Sequence, residues 1–407
     1  MPVENVILCI GTLDSKGPEL QYVKQLINSK SNYKTLVMDV GCLGEAYFDA
    51  DITAREVARA AGTSIEEVRA ISEAGPATEI MTAGAKKITR DLYDSGRFQG
   101  VLSIGGGTGS GIASAVLKEL PVGVPKFMLS SQKIVQAGIR KYVGTRDIVI
   151  MPSMADIAGL NRLTIDALNK AVGAIIGMME MGKPEIPDKP LVFMTMTGLS
   201  TGCGLKVKSL LEDRGFEVGV FHTIGVGGET FEEMVRSYPV KGVIELGLNE
   251  IGNELFGGMA SAGPNRLEAA GETGIPQIIT PGCIDIINFL APDTVPGHYR
   301  DRVICYHNPQ ATLPRMNAEE LSQVAITMSK KLNNATGPVR FLIPLRGFSS
   351  IDCEGNNFFD PVADEAFIIS LKKSLKETIT IREINAHIND IEFSEAIVNE
   401  FLDIVQA

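Results

Sequence analysis

Short apolar runs alternate along the chain with longer stretches in which apolar positions recur every three or four residues. "NVILCIG" has the β-branched and apolar content of a first strand. In the "TLDSKGPELQYVKQLINSK" that follows, Leu20, Val23, Leu26 and Ile27 share one helical face, and Pro18 suits a first turn. "KTLVMDV" reads as a second strand. Thr53 and Glu56 have the spacing of a capping box opening "AREVARAAG", with Gly62 as its stop. "FQGVLSIGG", "VPKFMLS" and "DIVIMPS" are further buried strands separated by helix-length connections. Strands linked this way predict right-handed βαβ crossovers and a mostly parallel sheet.

The rhythm breaks at "GKPEIPDKP", where three prolines and four charges fall within nine residues, and then restarts. "LVFMTMTG" is a strand, "CGLKVKSLLEDRG" a helix ending at Gly215, and "EVGVFHT" the next strand. "GVIEL", "PQIIT", "VRFLIPL" and "TITIREI" follow as strands, and "EFSEAIVNEFLDIV" is a terminal helix. The expected organisation is α/β: a first Rossmann-like lobe at 1–182, a linker at 183–190, and a second α/β lobe at 191–407. A ligand cleft is expected at the carboxyl ends of the strands and between the lobes.

Composition narrows the function classes. The 407 residues exceed one ordinary core, and 21% charged with 44% hydrophobic residues is a globular balance. A formal charge of −11, with no cluster of Lys and Arg interleaved with aromatics, argues against nucleic acid. "MPVENVILCIG" reads as a strand rather than a leader, and no apolar run is long enough for a membrane span. The six cysteines are scattered singly without a Cys-x-x-Cys pair, which fits reduced thiols in a cytosol and gives zinc no support.

The chemistry concentrates in "SIGGGTGSGIASAVLKEL", where five of the seven residues Gly105 to Gly111 are glycine. Glycine costs backbone entropy, so such a cluster implies that bare backbone is needed. It lies at a strand's carboxyl end and opens a helix, whose unpaired N–H groups and dipole suit an anion. Gly105, Gly106, Gly107, Gly109 and Gly111 allow close approach, and Thr108 and Ser110 add hydroxyls to a phosphate or its magnesium. The loop matches no named fingerprint. Ile112 replaces the P-loop lysine, and Ser110 replaces the third glycine of the dinucleotide pattern.

Other candidates surround it. Gly11 and Thr12 turn out of the first strand, with Lys16 as the nearest cation and Asp14 as a helix cap. Asp39 ends the second strand, where a carboxylate holds ribose hydroxyls or merely shapes a turn. Asp49 and Asp51 are loop carboxylates that leave a metal site open, on weak evidence since they are only two. In the second lobe, Gly225, Gly227 and Gly228 form another strand-to-helix loop beside His222. Arg266, His307, Asn308, Arg315, Arg346 and Asp352 supply polar groups for an anionic substrate. His222, Arg266, His307 and Arg315 are the catalytic candidates.

"CIGTLDSKGPEL", "MDVGCLGEAYFDADIT", "SIGGGTGSGIASAVLKELPVGVPK", "YVGTRDIVIMPSMADIAGLNRL", "FHTIGVGGETFEEMV" and "HINDIEFSEAIVNEFL" occur in order. Together they resemble the ATP-binding family built on the N-terminal module of tobamovirus resistance proteins, with bacterial and fungal homologues. The resemblance covers nearly the whole chain. It implies ATP, two Rossmann-like lobes and a homodimer, with Gly11, Thr12, Gly105 to Gly111 and the loop at Ser130 in the nucleotide site. One segment departs from that pattern: relatives read Ser-Thr-Val-Ala-Ser-Gly where this chain has Ser130-Ser131-Gln132-Lys133-Ile134-Val135, so Lys133 offers a charge in place of a backbone contact.

The expected function is ATP binding, with any magnesium bridging the phosphates and Thr108, Ser110 or an aspartate, and catalysis resting on positioning and charge neutralisation. Three readings stay open: an ATP-dependent enzyme on a small anionic substrate, a nucleotide-gated module that binds a protein partner, and a metabolic enzyme for a phosphorylated or carboxylated molecule without nucleotide.

Overall fold

The alternation of apolar runs and amphipathic stretches resolves into two parallel sheets in the computed structural model, which describes residues 5–182 and 188–406. Most of the expected linker, at 183–187, lies outside the described residues. The chain divides into two compact units, 1–186 and 187–407.

The first unit contains β1 (Val6–Gly11), β2 (Lys34–Asp39), β3 (Gly100–Gly105), β4 (Lys126–Ser130) and β5 (Val149–Pro152), ordered β2-β1-β3-β4-β5. Every pairing is parallel, with Val6 opposite Lys34 and Ile7 opposite Gly100. Alternation along β1 sends Leu8 and Ile10 to one face, where they meet Val57, Met81, Ile112 and Val116. Ile7 and Cys9 face the other way, toward Val23, Ile27, Leu168 and Val172. Helices therefore cover both faces, which is why these strands read as continuous apolar runs.

This order sends the chain from β1 to β2 on one side, then back past β1 to β3. The direction of winding reverses between β1 and β3, and a crevice opens there at the strands' carboxyl ends. The turn at Gly11 and Thr12 leaves β1, and the glycine loop leaves β3. The two segments expected to share a ligand thus lie side by side because of the strand order.

The second unit repeats this winding. Its strands are β6 (Leu191–Met196), β7 (Glu217–His222), β8 (Gly242–Glu245), β9 (Gln277–Ile279), β10 (Ile304–Asn308), β11 (Ala311–Pro314), β12 (Val339–Pro344) and β13 (Thr380–Ile384). The six-stranded sheet runs β7-β6-β8-β9-β12-β13, all parallel. The hairpin β10–β11 is an addition that periodicity did not signal. Its stretch "CYHNPQATLPR" is polar, and its turn lacks the glycine that usually marks a hairpin. No helix among the described residues is long and apolar enough to cross a membrane.

Candidate functional site

The helix Gly107–Glu119 begins directly after β3. Gly106 is its N-cap, in extended backbone, and no side chain caps the first turn. Its opening N–H groups therefore lack the side-chain partner that most helices supply. Gly106 and Gly107 are partly open to solvent and Thr108 is exposed.

The glycines of this loop serve different ends. A β-carbon on Gly105 would lie 2.5 Å from the Ser110 backbone nitrogen, and one on Gly11 would lie 2.5 Å from Leu20 Cδ1. Those two are packing requirements. At Gly106 the nearest atom is Lys16 Cε, 3.9 Å away, and at Gly107 it is Lys133 Cδ at 3.2 Å, with Nζ at 3.6 Å. At Gly109 the neighbour is Thr12, with Oγ1 at 3.7 Å, and at Gly111 nothing lies within 4 Å.

Two lysines thus converge on adjacent residues of an uncapped helix start. Neither forms an ion pair among the described residues. Lys16 is brought there by a break in the helix Leu13–Lys30, where its φ of −129° and ψ of 20° depart from helical values just before Pro18. Proline removes a helical donor and crowds the preceding turn, so the break follows from sequence. Lys133 lies on the short helix Lys133–Ala137 after β4.

The hydroxyls beside the loop divide similarly. Ser110 is buried, its Oγ donating to the Gly105 carbonyl and sharing a 2.7 Å bond with Ser130 Oγ. Ser110 and Ser130, both expected in the nucleotide site, instead tie the loop to β4. Two neighbouring serines not foreseen as site residues behave differently: Ser131 Oγ and Ser153 Oγ are buried without a hydrogen-bond partner. Ser131 N–H donates to the Gly105 carbonyl and Ser153 N–H to the Ser130 carbonyl, so both follow strand ends beside the loop. Ser153 and Lys133 also line a cleft of about 590 Å³ with Gln132, Gln136, Pro152 and Met154. Their sequence signal was serine immediately after an apolar strand, in "FMLSSQ" and "IMPSM".

Several expected contacts are already taken within the fold. Asp39 Oδ1 accepts the N–H groups of Leu13 and Gly41, and burial raises its pKa; the residue shapes the turn. Asp14 does not cap its helix. Its Oδ2 accepts from the Leu43 and Gly44 N–H groups and holds that loop. Asp51 accepts the Val37 N–H, and no metal-holding group of acidic, Cys or His side chains occurs among the described residues.

The second lobe's glycine loop carries its own anion. Glu250 Oε1 accepts from Gly225 N–H at 2.7 Å and Gly228 N–H at 3.1 Å. A β-carbon on Gly227 would lie 1.7 Å from the His222 carbonyl oxygen, and one on Gly228 2.0 Å from Glu250 Oε2. The expectation of a ligand at Gly225, Gly227 and Gly228 gives way to internal packing. Arg266 is 1% exposed and donates to Glu250 at 2.7 Å, Glu245 at 2.6 Å and Glu232 at 3.0 Å. Burial works against its charge, but those carboxylates outweigh the penalty and hold it protonated. It is a structural cation, not an open substrate contact.

Arg315 is likewise buried, its Nε donating to the Phe358 carbonyl and Nη2 to Asp364 Oδ1 at 2.7 Å. His307 is exposed on β10 and His222 is exposed at the end of β7. The four catalytic candidates are therefore two internal guanidiniums and two surface imidazoles. His387, not singled out from sequence, has both ring nitrogens engaged: Nε2 with the Ser349 carbonyl at 2.9 Å and Nδ1 with Asn389 N–H at 3.2 Å.

Two family models together match nearly the whole chain. Residues 5–184 match the N-terminal domain, and residues 189–405 the C-terminal domain, of a family described as "Uncharacterised protein family (UPF0261)". A UPF0261 protein of Clostridium tetani is 39% identical over 402 residues, covering 98% of this chain and 99% of the relative. The ToMV resistance protein Tm-1(GCR237) of Solanum lycopersicum is 31% identical over 421 residues, covering 98% of this chain and 55% of that protein. A solved structure of the Streptomyces sp. SF2575 glycosyltransferase SsfS6, complexed with thymidine diphosphate, aligns at a TM-score of 0.18 and 15% identity over 68% of this chain and 82% of that one. That likeness is too slight to inform fold or ligand. With both halves matched and the Clostridium tetani relative aligned end to end, the chain belongs to the UPF0261 family.

Proposed function

We propose that the first lobe binds a phosphorylated ligand, ATP or a similar nucleotide, with its phosphates against Gly106, Gly107 and Gly109. One observation carries this reading: Lys16 and Lys133, without ion-pair partners among the described residues, meet at an uncapped helix start in a chain of net charge −11. A helix start with open N–H groups and two lysine side chains beside it concentrates positive potential, which a polyphosphate matches. The position at the β1–β3 reversal is where open parallel sheets hold ligands. Resemblance to the resistance-protein family favours ATP among phosphorylated ligands.

The geometry supplies groups that bind and neutralise phosphate. The described contacts include no imidazole beside the loop, so binding without turnover is the simpler form, and slow phosphoryl transfer by charge neutralisation is the second. Single-turnover assays with labelled ATP separate them through the appearance of ADP.

Calorimetric titration with ATP, AMP and inorganic tripolyphosphate tests the reading. ATP and tripolyphosphate should bind more tightly than AMP. Lys16→Met and Lys133→Met should each weaken tripolyphosphate about tenfold, since a charge-assisted hydrogen bond contributes about 1.5–3 kcal/mol before screening at the exposed Lys133 reduces it. Tripolyphosphate affinity indifferent to both substitutions would sink the assignment.

A further inference from the structure

Charge is also unbalanced in the second lobe, with the opposite sign. Arg315 Nη2 meets Asp364 Oδ1 at 2.7 Å and Asp352 Oδ1 at 3.5 Å. Asp285, fully buried, belongs to the same electrostatic cluster, and it accepts from Ser349 Oγ at 2.7 Å while its Oδ1 has no hydrogen-bond partner. Three carboxyl groups therefore share one guanidinium. A buried group of this kind must retain protons or recruit a cation, because uncompensated charge is costly away from water.

One member of the cluster reaches open space. Asp364 lines a cavity of about 340 Å³ whose walls include Leu345, Phe359, Ile368 and Ile369, with Glu365 and Glu383 as further carboxylates. The cavity's lysine, Lys372, already pairs with Glu383 at 2.6 Å. Arg315 uses Asp364 Oδ1, leaving Oδ2 for another donor. A cavity with an apolar wall of Leu345, Phe359, Ile368 and Ile369, one deep carboxylate and two further acidic residues complements an apolar body bearing one positive charge.

We propose that this cavity is a binding site for a small organic monocation, an ammonium or amidinium on an apolar body, with its charge on Asp364 and its body against Phe359, Ile368 and Ile369. Burial and the neighbouring Asp352 carboxylate push Asp364 up to about 8. The site is independent of the phosphate reading, since it lies in the other lobe and has the opposite charge.

The test titrates the full chain with phenethylammonium and with 2-phenylethanol, its neutral counterpart of similar shape. The ammonium should bind about tenfold or more tighter than the alcohol, the value of one charged hydrogen bond. Asp364→Asn should remove that preference, and Ile368→Trp, which fills the cavity, should remove binding of both compounds. Circular dichroism and the unfolding midpoint check each variant's fold. If Asp364→Asn fails to fold, Glu365→Gln at the exposed rim serves instead and should weaken the ammonium severalfold while sparing the alcohol. Equal binding of the two compounds, no binding of the ammonium, or undiminished binding in Ile368→Trp would overturn the proposal.

Discussion

Valine at Gly107 and valine at Gly111 are the same change on one helix, and the structure assigns them different outcomes. Neither glycine has positive φ, so a side chain is sterically admissible at both. A β-carbon at 111 meets nothing within 4 Å, whereas at 107 it points at Lys133 Cδ, 3.2 Å away. Lys133 is exposed and flexible and can yield. Helix propensity favours valine over glycine by about 0.3–0.5 kcal/mol, so the first lobe should melt within about 2 °C of the parent in both variants. Affinity should separate them. The isopropyl group at 107 fills the space between the helix start and Lys133, so one charge-assisted backbone bond and part of the lysine contact are lost. That loss is about 1.5–3 kcal/mol, or about ten- to hundredfold in tripolyphosphate affinity. Gly111→Val should bind as the parent does. Gly105→Ala completes the set, because its β-carbon would lie 2.5 Å from a backbone nitrogen and should cost about 1–3 kcal/mol through strain. Calorimetry gives the affinities and thermal denaturation the stabilities. Equal affinity for Gly107→Val and Gly111→Val would refute the claim that bare backbone at 107 serves a ligand.

Other outcomes follow from the same geometry. Arg266→Met leaves Glu232, Glu245 and Glu250 without their buried counter-charge, and denaturant titration should show a loss of about 3–5 kcal/mol in the second lobe. Asp285 and Asp364 are raised from 3.8 to about 6 and about 8, chiefly by burial. The folded state therefore keeps protons that the unfolded chain has released above about pH 4, and second-lobe stability should fall as pH rises from there toward 8. Asp364→Asn should flatten that slope in melting curves recorded across the range. A slope unchanged in the variant would remove Asp364 from the account. Ser110→Ala breaks the bond to Ser130 and should cost about 1–2 kcal/mol by chemical denaturation.

Local chemistry was legible wherever neighbours in sequence decide it. The Thr53–Glu56 capping box forms as its spacing predicts, because both partners lie within one helical turn. The strands of both sheets were likewise visible: burial on two faces leaves the central ones as continuous apolar runs, while the partly exposed edge strands β5, β7 and β13 show through β-branched residues between turn signals. Polar residues were harder to read. Arg266 and Arg315 have the same composition signal whether they face a substrate or a buried aspartate. Only the fold brings Glu232, Glu245 and Glu250 around the first, and Asp352 and Asp364 around the second. The same is true of the two glycine loops. Both read as anion cradles, and the carboxylate that fills the second lies 22 residues or more away in sequence.

By itself, then, the sequence determined the alternation of strands and helices, the two-lobe α/β class and the glycine-rich helix start, because periodicity, caps and backbone freedom are local properties. Tertiary structure alone decided which of those features stay open and which are closed by internal partners. Strand order set the Gly11 turn beside the β3 loop, Lys16 and Lys133 came to adjacent residues of the helix start, and the distant Glu250 closed the competing loop. Charge compensation acts through space between residues far apart in the chain, so no pattern of neighbouring residues can reveal which cation is already answered and which is not.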